Sequence, residues 1–456
     1  MGDISSHVSK DSQTVAAIYA HYKKQGDTGY LSKTLGISQI GRPCERYLWY
    51  LFRQCVKSKF SGRMYRLFER GNLEESRLIA NLRAIGCTVH SVDESTGKQF
   101  LVTDLGGHLK GYLDGCAIGI PEAPKTWHVL EFKTHNAKSF AALKNNGVMA
   151  SKPEHYAQVV LGMYLTGMKR GLYLGTNKDT DEIHSERIAS NPAEAVNLIE
   201  KARRIITAIK PPNRISNRPD YYLCNQCDAK GICWGTQPPE PALPVPKLSC
   251  RHCCFATPVI DGETEFSPPI KPNATWICER NLGRSFIDTD KPCSKHLILP
   301  ELLAFTEPDM YRVNEHGQDY IIFKNADGGV WQHGNAPGCI GSEVLTSLPA
   351  CLLADSMVQT ACNSFGAKPT AYCPPPCSVE DDIFGRYTDE TSRIVWEGNI
   401  LRLIEKWCEL YKENLAALTP IAKADNLEGT IVEYEGNKAV ILWHNTRHAE
   451  IRERTN

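Results

Sequence analysis

The chain has 456 residues, 42% hydrophobic and 23% charged, which suits a globular protein of two or three domains and excludes a disordered or fibrous one. No apolar run reaches eighteen residues, so no spanning helix and no membrane partner are expected, and the polar start MGDISSHVSKDSQ lacks the apolar stretch of a signal peptide. Lys+Arg and Asp+Glu balance at 52 each, but unevenly: residues 1–234 hold 32 basic against 22 acidic groups, residues 235–300 hold 7 of each, and residues 301–456 hold 13 against 23. A basic front suits a polyanionic partner, although ordinary solvated surfaces vary as much, so charge alone decides nothing.

In chain order, SGRMYRLFERGNLEESRLIANLRAIG (61–86) has the period of a helix through Leu67, Leu73, Leu78, Ile79 and Leu82. HLKGYLDGCAIGI and WHVLEFKT read as strands on either side of the turn PEAPK. PEHYAQVVLGMYLTG (153–167) reads as a helix with Pro153 in its first turn, GLYLGT as a strand, and PAEAVNLIEKARRIITAI (192–209) as a further helix. That is the β-β-α-β order of a mixed α/β core. GTQPPEPALPVPK (235–247) carries five prolines and reads as a linker, taken here as residues 235–249. A cysteine-rich segment (250–300) follows. The acidic remainder (301–456) is expected to be α+β, with hairpins in DYIIFKNADGGVWQ and GTIVEYEGNKAVILW. A helix near 393–415 there would have a core stripe of Ile400, Leu403, Ile404, Trp407 and Leu410.

The central chemical constellation is Asp114, Glu131 and Lys133. Side chains alternate along a strand, so Glu131 and Lys133 of VLEFK share a face that Phe132 avoids. A buried carboxylate and ammonium are costly unless used or paired. Asp114 ends the preceding strand and can meet Glu131, and two converging carboxylates suit a hard divalent cation. Glu75, after Gly71 on the preceding helix, would add a third carboxylate, and Gln158 on the following helix would hold the site or a DNA end by hydrogen bonds. His108, Lys110 and Tyr112 lie on the Asp114 face of their strand. The bland alternative is a cross-strand ion pair.

RGNLEE, GYLDG, LEFK and YAQVVLGMY resemble, in order and spacing, the RecB-like and lambda-exonuclease-like PD-(D/E)XK nucleases, over about residues 40–234. The resemblance implies a restriction-endonuclease-like core, a mixed sheet flanked by helices. It also implies Glu75, Asp114 and Glu131 as ligands of Mg²⁺ or Mn²⁺, Lys133 as the catalytic lysine, and Gln158 as the glutamine after the core. A RecB-type tyrosine would stand at 162, where this chain has Gly162; Gln158 followed by Tyr164 is closer to the lambda-exonuclease branch.

Eighteen cysteines with nothing directing export point to metal rather than disulfides. Cys224-x2-Cys227-x5-Cys233 needs a fourth ligand, for which Cys44 in IGRPCERYLWYL is the candidate. A lone early cysteine with a late C-x2-C-x5-C is similar to AddB and the CRISPR-adaptation exonucleases, which implies a [4Fe–4S] cluster stapling the nuclease domain (1–234). A four-thiolate zinc site is the alternative. Cys250, Cys253, Cys278 and Cys293 read as a second set, a zinc-ribbon-like Zn²⁺ site in a segment poor in apolar residues, with Cys254 and His296 as competing ligands. Cys339, Cys373 and Cys377 read as unliganded thiols. Cys55, Cys87, Cys116, Cys351, Cys362 and Cys408 read as packing residues.

The expectation is therefore a Mg²⁺- or Mn²⁺-dependent deoxyribonuclease, an exonuclease of recombination, repair or phage replication. It would act on linear DNA ends or single strands in the cytoplasm, that of the bacterial host if phage-encoded, with a protein partner for the acidic region. The rivals are a non-catalytic DNA- or protein-binding module on the same fold and a host-takeover inhibitor.

Overall fold

The computed structural model describes residues 12–235, 241–260, 273–280, 286–313, 317–326 and 328–348, with 350 and 353; beyond these it describes only short strands between 368 and 453. The chain divides into two compact units, Met1–Ile215 with Thr257–Ile277, and Ser216–Ala256 with Cys278–Asn456. The piece 257–277, expected within the zinc segment, thus lies in the first unit.

The first unit opens with α1 (Gln13–Gly26), β1 (Leu35–Gly36), α2 (Ile37–Ile40), α3 (Glu45–Phe52) and the long α4 (Gly62–Ala84). Short strands β2 (Thr88–His90), β3 (Phe100–Asp104), β4 (Leu109–Leu113) and β5 (Gly115–Ile118) lead to β6 (His128–His135). Helices α5 (Ala137–Ser151) and α6 (Pro153–Thr166) cross over to β7 (Arg170–Asn177), followed by β8 (Ile183–Ala189) and α7 (Pro192–Thr207). The main sheet has the order β2-β5-β6-β7-β8; β6 and β7 are parallel, as a helical crossover requires, and the other pairs antiparallel.

Alternation sorts β6 onto two faces. Leu130 and Phe132, with Leu172 and Leu174 of β7, join Leu78, Ile79 and Leu82 of α4 in one core cluster. On the opposite face Val129 lies under Gly162 of α6, and Gly171 under Val159, so close that a Cβ on Gly171 would stand 2.5 Å from Val159 Cγ1. Of the stripe expected on α4, Leu73 departs: it is 68% exposed, because five residues at 3.6 per turn set it about 140° around the helix from the buried Leu78.

The run HLKGYLDGCAIGI is not one strand. It breaks at Asp114: β4 belongs to a separate sheet of order β1-β4-β3, and β5 to the main sheet. Gly115 makes the break, with φ of +147°, and a Cβ there would lie 2.7 Å from the His90 carbonyl oxygen. Trp276 packs against α3: it stacks on Phe52 at 5.5 Å, and the Arg53 guanidinium lies over the rings of both Trp49 and Trp276.

The second unit contains α8 (Lys230–Trp234) and an antiparallel sheet of β9 (Thr306–Val313), β10 (Asp319–Asn325) and β11 (Val330–Gly334). The expected hairpin over DYIIFKNADGGVWQ is β10 and β11, pinned by Phe323 stacked on Trp331 at 4.6 Å. Arg393–Glu397, the start of the expected helix 393–415, is a strand paired with His448–Glu453; Ile400, Leu403, Ile404, Trp407 and Leu410 lie outside the described residues. GTIVEYEGNKAVILW does form strands, but Thr430–Glu433 pairs with Lys368–Ala371 and Ala439–Asn445 with His448–Glu453.

Candidate active site

The break at Asp114 is what builds the site. The β5–β6 ladder ends at Gly115 opposite Leu130, so the Phe132 N–H lies just past it. The Asp114 carboxylate takes that N–H, Oδ2 accepting at 2.7 Å, and is thereby fixed beside β6. Glu131 and Lys133 project from β6, and Lys133 Nζ pairs with Glu131 and donates to the Phe132 carbonyl at 3.2 Å. Glu75 comes from α4, where its Oε1 accepts from Gln99 Nε2 at 3.4 Å. Gly71, Glu75, Asp114, Phe132, Lys133 and Thr134 line one cavity of about 220 Å³. Glu131 itself is 2% exposed and sits behind Lys133. Four sequence-predicted residues, Glu75, Asp114, Glu131 and Lys133, are thus brought together.

Their electrostatics follow from burial and crowding. Burial pushes the Glu131 carboxyl up to about 7; Lys133 opposes the rise, and Asp114 and Glu75 add to it. Asp114 is raised by burial against the pull of Lys133 and the Phe132 N–H. Glu75 is raised by burial and then by Asp114. Burial lowers the Lys133 ammonium, but Glu131, Asp114 and Glu75 together more than offset it, leaving its pKa raised and the side chain charged.

Gln158 is buried on α6 and does not line the cavity. It lies one turn before Gly162, which faces Leu113 and Val129. Because α6 runs antiparallel to β6, that turn of about 6 Å carries Gln158 toward the level of Glu131.

Sequence reasoning missed a buried polar group beside Glu131. Tyr173 pairs in register with Glu131 across β6 and β7. Its hydroxyl meets His135 Nε2 and His155 Nδ1, each at 2.9 Å, and His135 Nδ1 meets Ser139 Oγ at 3.0 Å. Burial, aided by Lys152 and Lys133, lowers His135 to about 4, and burial with Lys133 lowers His155 to about 3, so both rings are neutral. The available signal was His135 two residues past Lys133 on the same strand face.

Four other residues named with the expected site go elsewhere. His108 is buried, with Nε2 at 3.0 Å from the Thr275 carbonyl oxygen, and Lys110 lies over the exposed Tyr112 ring at 5.4 Å. Tyr164 is 43% exposed. None of these lines the cavity.

Of the cysteines, Cys55 and Cys87 are buried as packing residues. Cys44 caps the start of α3, its sulfur accepting the Tyr47 N–H at 3.4 Å. In the second unit Cys224 and Cys227 lie in successive turns before α8, which carries Cys233. Burial raises the Cys250 thiol to about 12, with Cys253, Cys293 and Cys278 adding to the rise. Burial likewise raises Cys253 to about 11, and its sulfur accepts the Leu297 N–H at 3.5 Å. The competing ligands are engaged elsewhere: Cys254 donates to the Ile298 carbonyl at 3.2 Å, and both nitrogens of His296 are bonded, to Ser342 and Ser249. Among the described residues, no three His, Cys, Asp or Glu side chains stand as a ready metal-ligand group. Cys351, Cys362, Cys373, Cys377 and Cys408 lie outside the described residues.

No protein-family profile matches the chain, and no curated protein matches it. Among solved structures, the crystal structure of SSO0001 aligns with 50% of this chain and 100% of its own, at 14% identity and a TM-score of 0.31. The alkaline exonuclease LHK-Exo from Laribacter hongkongensis aligns at 15% identity and a TM-score of 0.25, covering 42% of this chain and 90% of its own. LHK-Exo in complex with dAMP aligns over the same shares at 14% identity and a TM-score of 0.28. Likenesses of this size carry no argument about function, which rests on the residues of the site.

Proposed function

We propose that the first unit hydrolyses phosphodiester bonds of DNA as a divalent-metal-dependent exonuclease, with Glu75, Asp114 and Glu131 as metal ligands and Lys133 as the catalytic cation. The observation that carries this is the meeting of Glu75, Asp114 and Lys133 in one partly buried cleft at the strand break, with Glu131 paired to Lys133 beside it. A purely structural ion pair would not gather two further carboxylates whose charged forms burial disfavours. All donors are hard oxygens, including the Phe132 carbonyl beside Lys133, and that donor set fits Mg²⁺ or Mn²⁺. Bound there, such a cation supplies Lewis acidity at the phosphate and acidifies a water.

The chain's own residues do the rest. Asp114 is held rigid by the Phe132 N–H, so it keeps its place as charge builds. Lys133 borders the same cleft, where it would orient or help deprotonate the attacking water and stabilise negative charge on the phosphate. The excess of 32 basic over 22 acidic groups in residues 1–234 draws the polyanion to the unit.

The two cysteine sets extend the proposal. Cys250, Cys253, Cys278 and Cys293 would hold one zinc, for which the support is their sequence pattern and the N–H donated to Cys253. The iron–sulfur reading of Cys224, Cys227 and Cys233 is supported by the sequence resemblance alone. The test of the main proposal is substitution: Lys133→Met and Asp114→Asn should each lose digestion of end-labelled DNA by at least a hundredfold while keeping wild-type circular dichroism. Wild-type rates in either folded variant would refute it.

A further inference from the structure

A second cavity, of about 520 Å³, lies at the N-terminal end of α4 in the first unit. One wall is aromatic. Phe60 and Phe68 meet edge to face at 5.0 Å, Tyr65 packs edge-on against both, and Tyr65 also covers Gly26 so closely that a Cβ there would stand 2.1 Å from its ring. Phe60 and Phe68 remain 38% and 41% exposed, and Tyr30, at the rim, 73%. Polar residues also line it, among them Asp27, paired with Lys57, and Gln39, whose Oε1 is buried and has no hydrogen-bond partner. A buried acceptor left unmatched costs free energy, so its presence in a cavity wall points to a ligand with a donor.

The place of the cavity says which ligand. Phe68 and Glu75 are seven residues apart on α4, nearly two full turns, so they lie on one face about 10 Å apart. The aromatic wall and the carboxylate site are thus consecutive stations along a single rigid helix. About two nucleotides of extended strand span such a gap. The approach is basic: Lys57 is paired with Asp27, but residues 58–70 carry Lys59, Arg63, Arg66 and Arg70 against the single acid Glu69. Flat apolar faces, an unmatched carboxamide oxygen and surrounding cations fit an unpaired nucleobase on a polyanionic backbone, with the carboxamide facing the base edge.

We propose that this cavity receives an unpaired nucleobase of the strand whose phosphate lies at the carboxylate site, so that the protein engages single-stranded DNA or a frayed end. The proposal rests on the nuclease reading of that site. Stacking between the Phe60–Phe68 edge and the base holds the strand in register, and Gln39 accepts from the base's amino or imino hydrogen.

The experiment uses full-length protein in EDTA, so that binding is measured without cleavage. Single-stranded oligonucleotides carrying one abasic position, moved stepwise from the end, are titrated by fluorescence anisotropy. Wild type should bind roughly tenfold more weakly when the abasic position falls at one or two adjacent places, and be indifferent elsewhere. Phe68→Ala and Gln39→Leu should lose that positional dependence while still binding the backbone. In wild type alone, 2-aminopurine at the sensitive position should be quenched on binding. Uniform abasic effects, no quenching, or an unchanged pattern in Phe68→Ala would overturn the proposal. Positional dependence with no cleavage on adding Mg²⁺ would sustain the cavity and sink the nuclease reading instead.

Discussion

Replacing Glu131 by glutamine should make the metal-free protein more stable at alkaline pH while abolishing its chemistry. Glu131 is 2% exposed, and burial lifts its carboxyl from the ordinary 4.5 to about 7. A raised acid binds its proton in the folded state while the unfolded chain has released it, so stability falls as pH rises from 4.5 through 7. At 1.36 kcal/mol per pH unit the full loss above pH 7 is about 3 kcal/mol. Glutamine removes that loss, and because the raised value already includes the pull of Lys133, the gain at pH 8 should be of that same order, about 2–3 kcal/mol. For a unit of this size that is a rise in Tm of about 4–12 °C. Thermal melts in EDTA at pH 5 and pH 8 measure it. The gap between variant and wild type should be small or reversed at pH 5 and favour the variant at pH 8. Mg²⁺ should then raise the wild-type Tm more than that of the variant, since ligand binding adds stability only where the site is intact. A pH-independent gap, or a variant less stable than wild type at pH 8, would refute the account of the buried carboxylates.

Further outcomes follow from the same geometry. His135 and His155 are held neutral by burial, with values near 4 and 3, whereas the unfolded chain protonates them below about 6.5; their share of stability is therefore present above that pH and lost as pH falls. His155→Gln should blunt this acid sensitivity in melts between pH 7 and pH 5. Tyr173→Phe strands His135 Nε2 and His155 Nδ1 and should cost about 1–3 kcal/mol in urea titrations. Gly41→Ala would bring a Cβ to 2.6 Å from the Glu154 Cα, backbone that must move with α6; about 1–3 kcal/mol of destabilisation should appear, together with weaker DNA digestion because α6 carries Gln158. Metal analysis of the purified protein should find zinc, reduced by one equivalent in Cys250→Ser.

The sequence made the site legible because its chemistry is local. Glu131 and Lys133 share a strand face by simple alternation, and their helix and strand neighbours have clear periods, so α4, α6, β7 and α7 appear close to where pattern places them. What pattern could not give is the break at Asp114. Apolar alternation runs straight through GYLDGCAI, and only the positive φ of Gly115 and its approach to His90 divide the run between two sheets. The Tyr173 group escaped for a different reason: His135, Tyr173 and His155 come from β6, β7 and α6, and the register pairs Tyr173 with Glu131 rather than His135, so only tertiary packing of the side chains makes them neighbours. Trp276, from a segment read as part of a zinc module, packs on Phe52 and Arg53 through contacts more than 200 residues apart in sequence, which local periodicity does not carry.

The central claim is tested most directly by incubating the full-length protein with end-labelled linear DNA and with closed circular DNA, in Mg²⁺, Mn²⁺ or EDTA. The account predicts that Mg²⁺ or Mn²⁺ releases nucleotides from the linear substrate and spares the circle. EDTA should stop the reaction, and Glu131→Gln should show none under any condition. Digestion that persists in EDTA, or that is as fast in Glu131→Gln as in wild type, would contradict it, as would a folded wild-type protein that binds linear DNA and never cuts it.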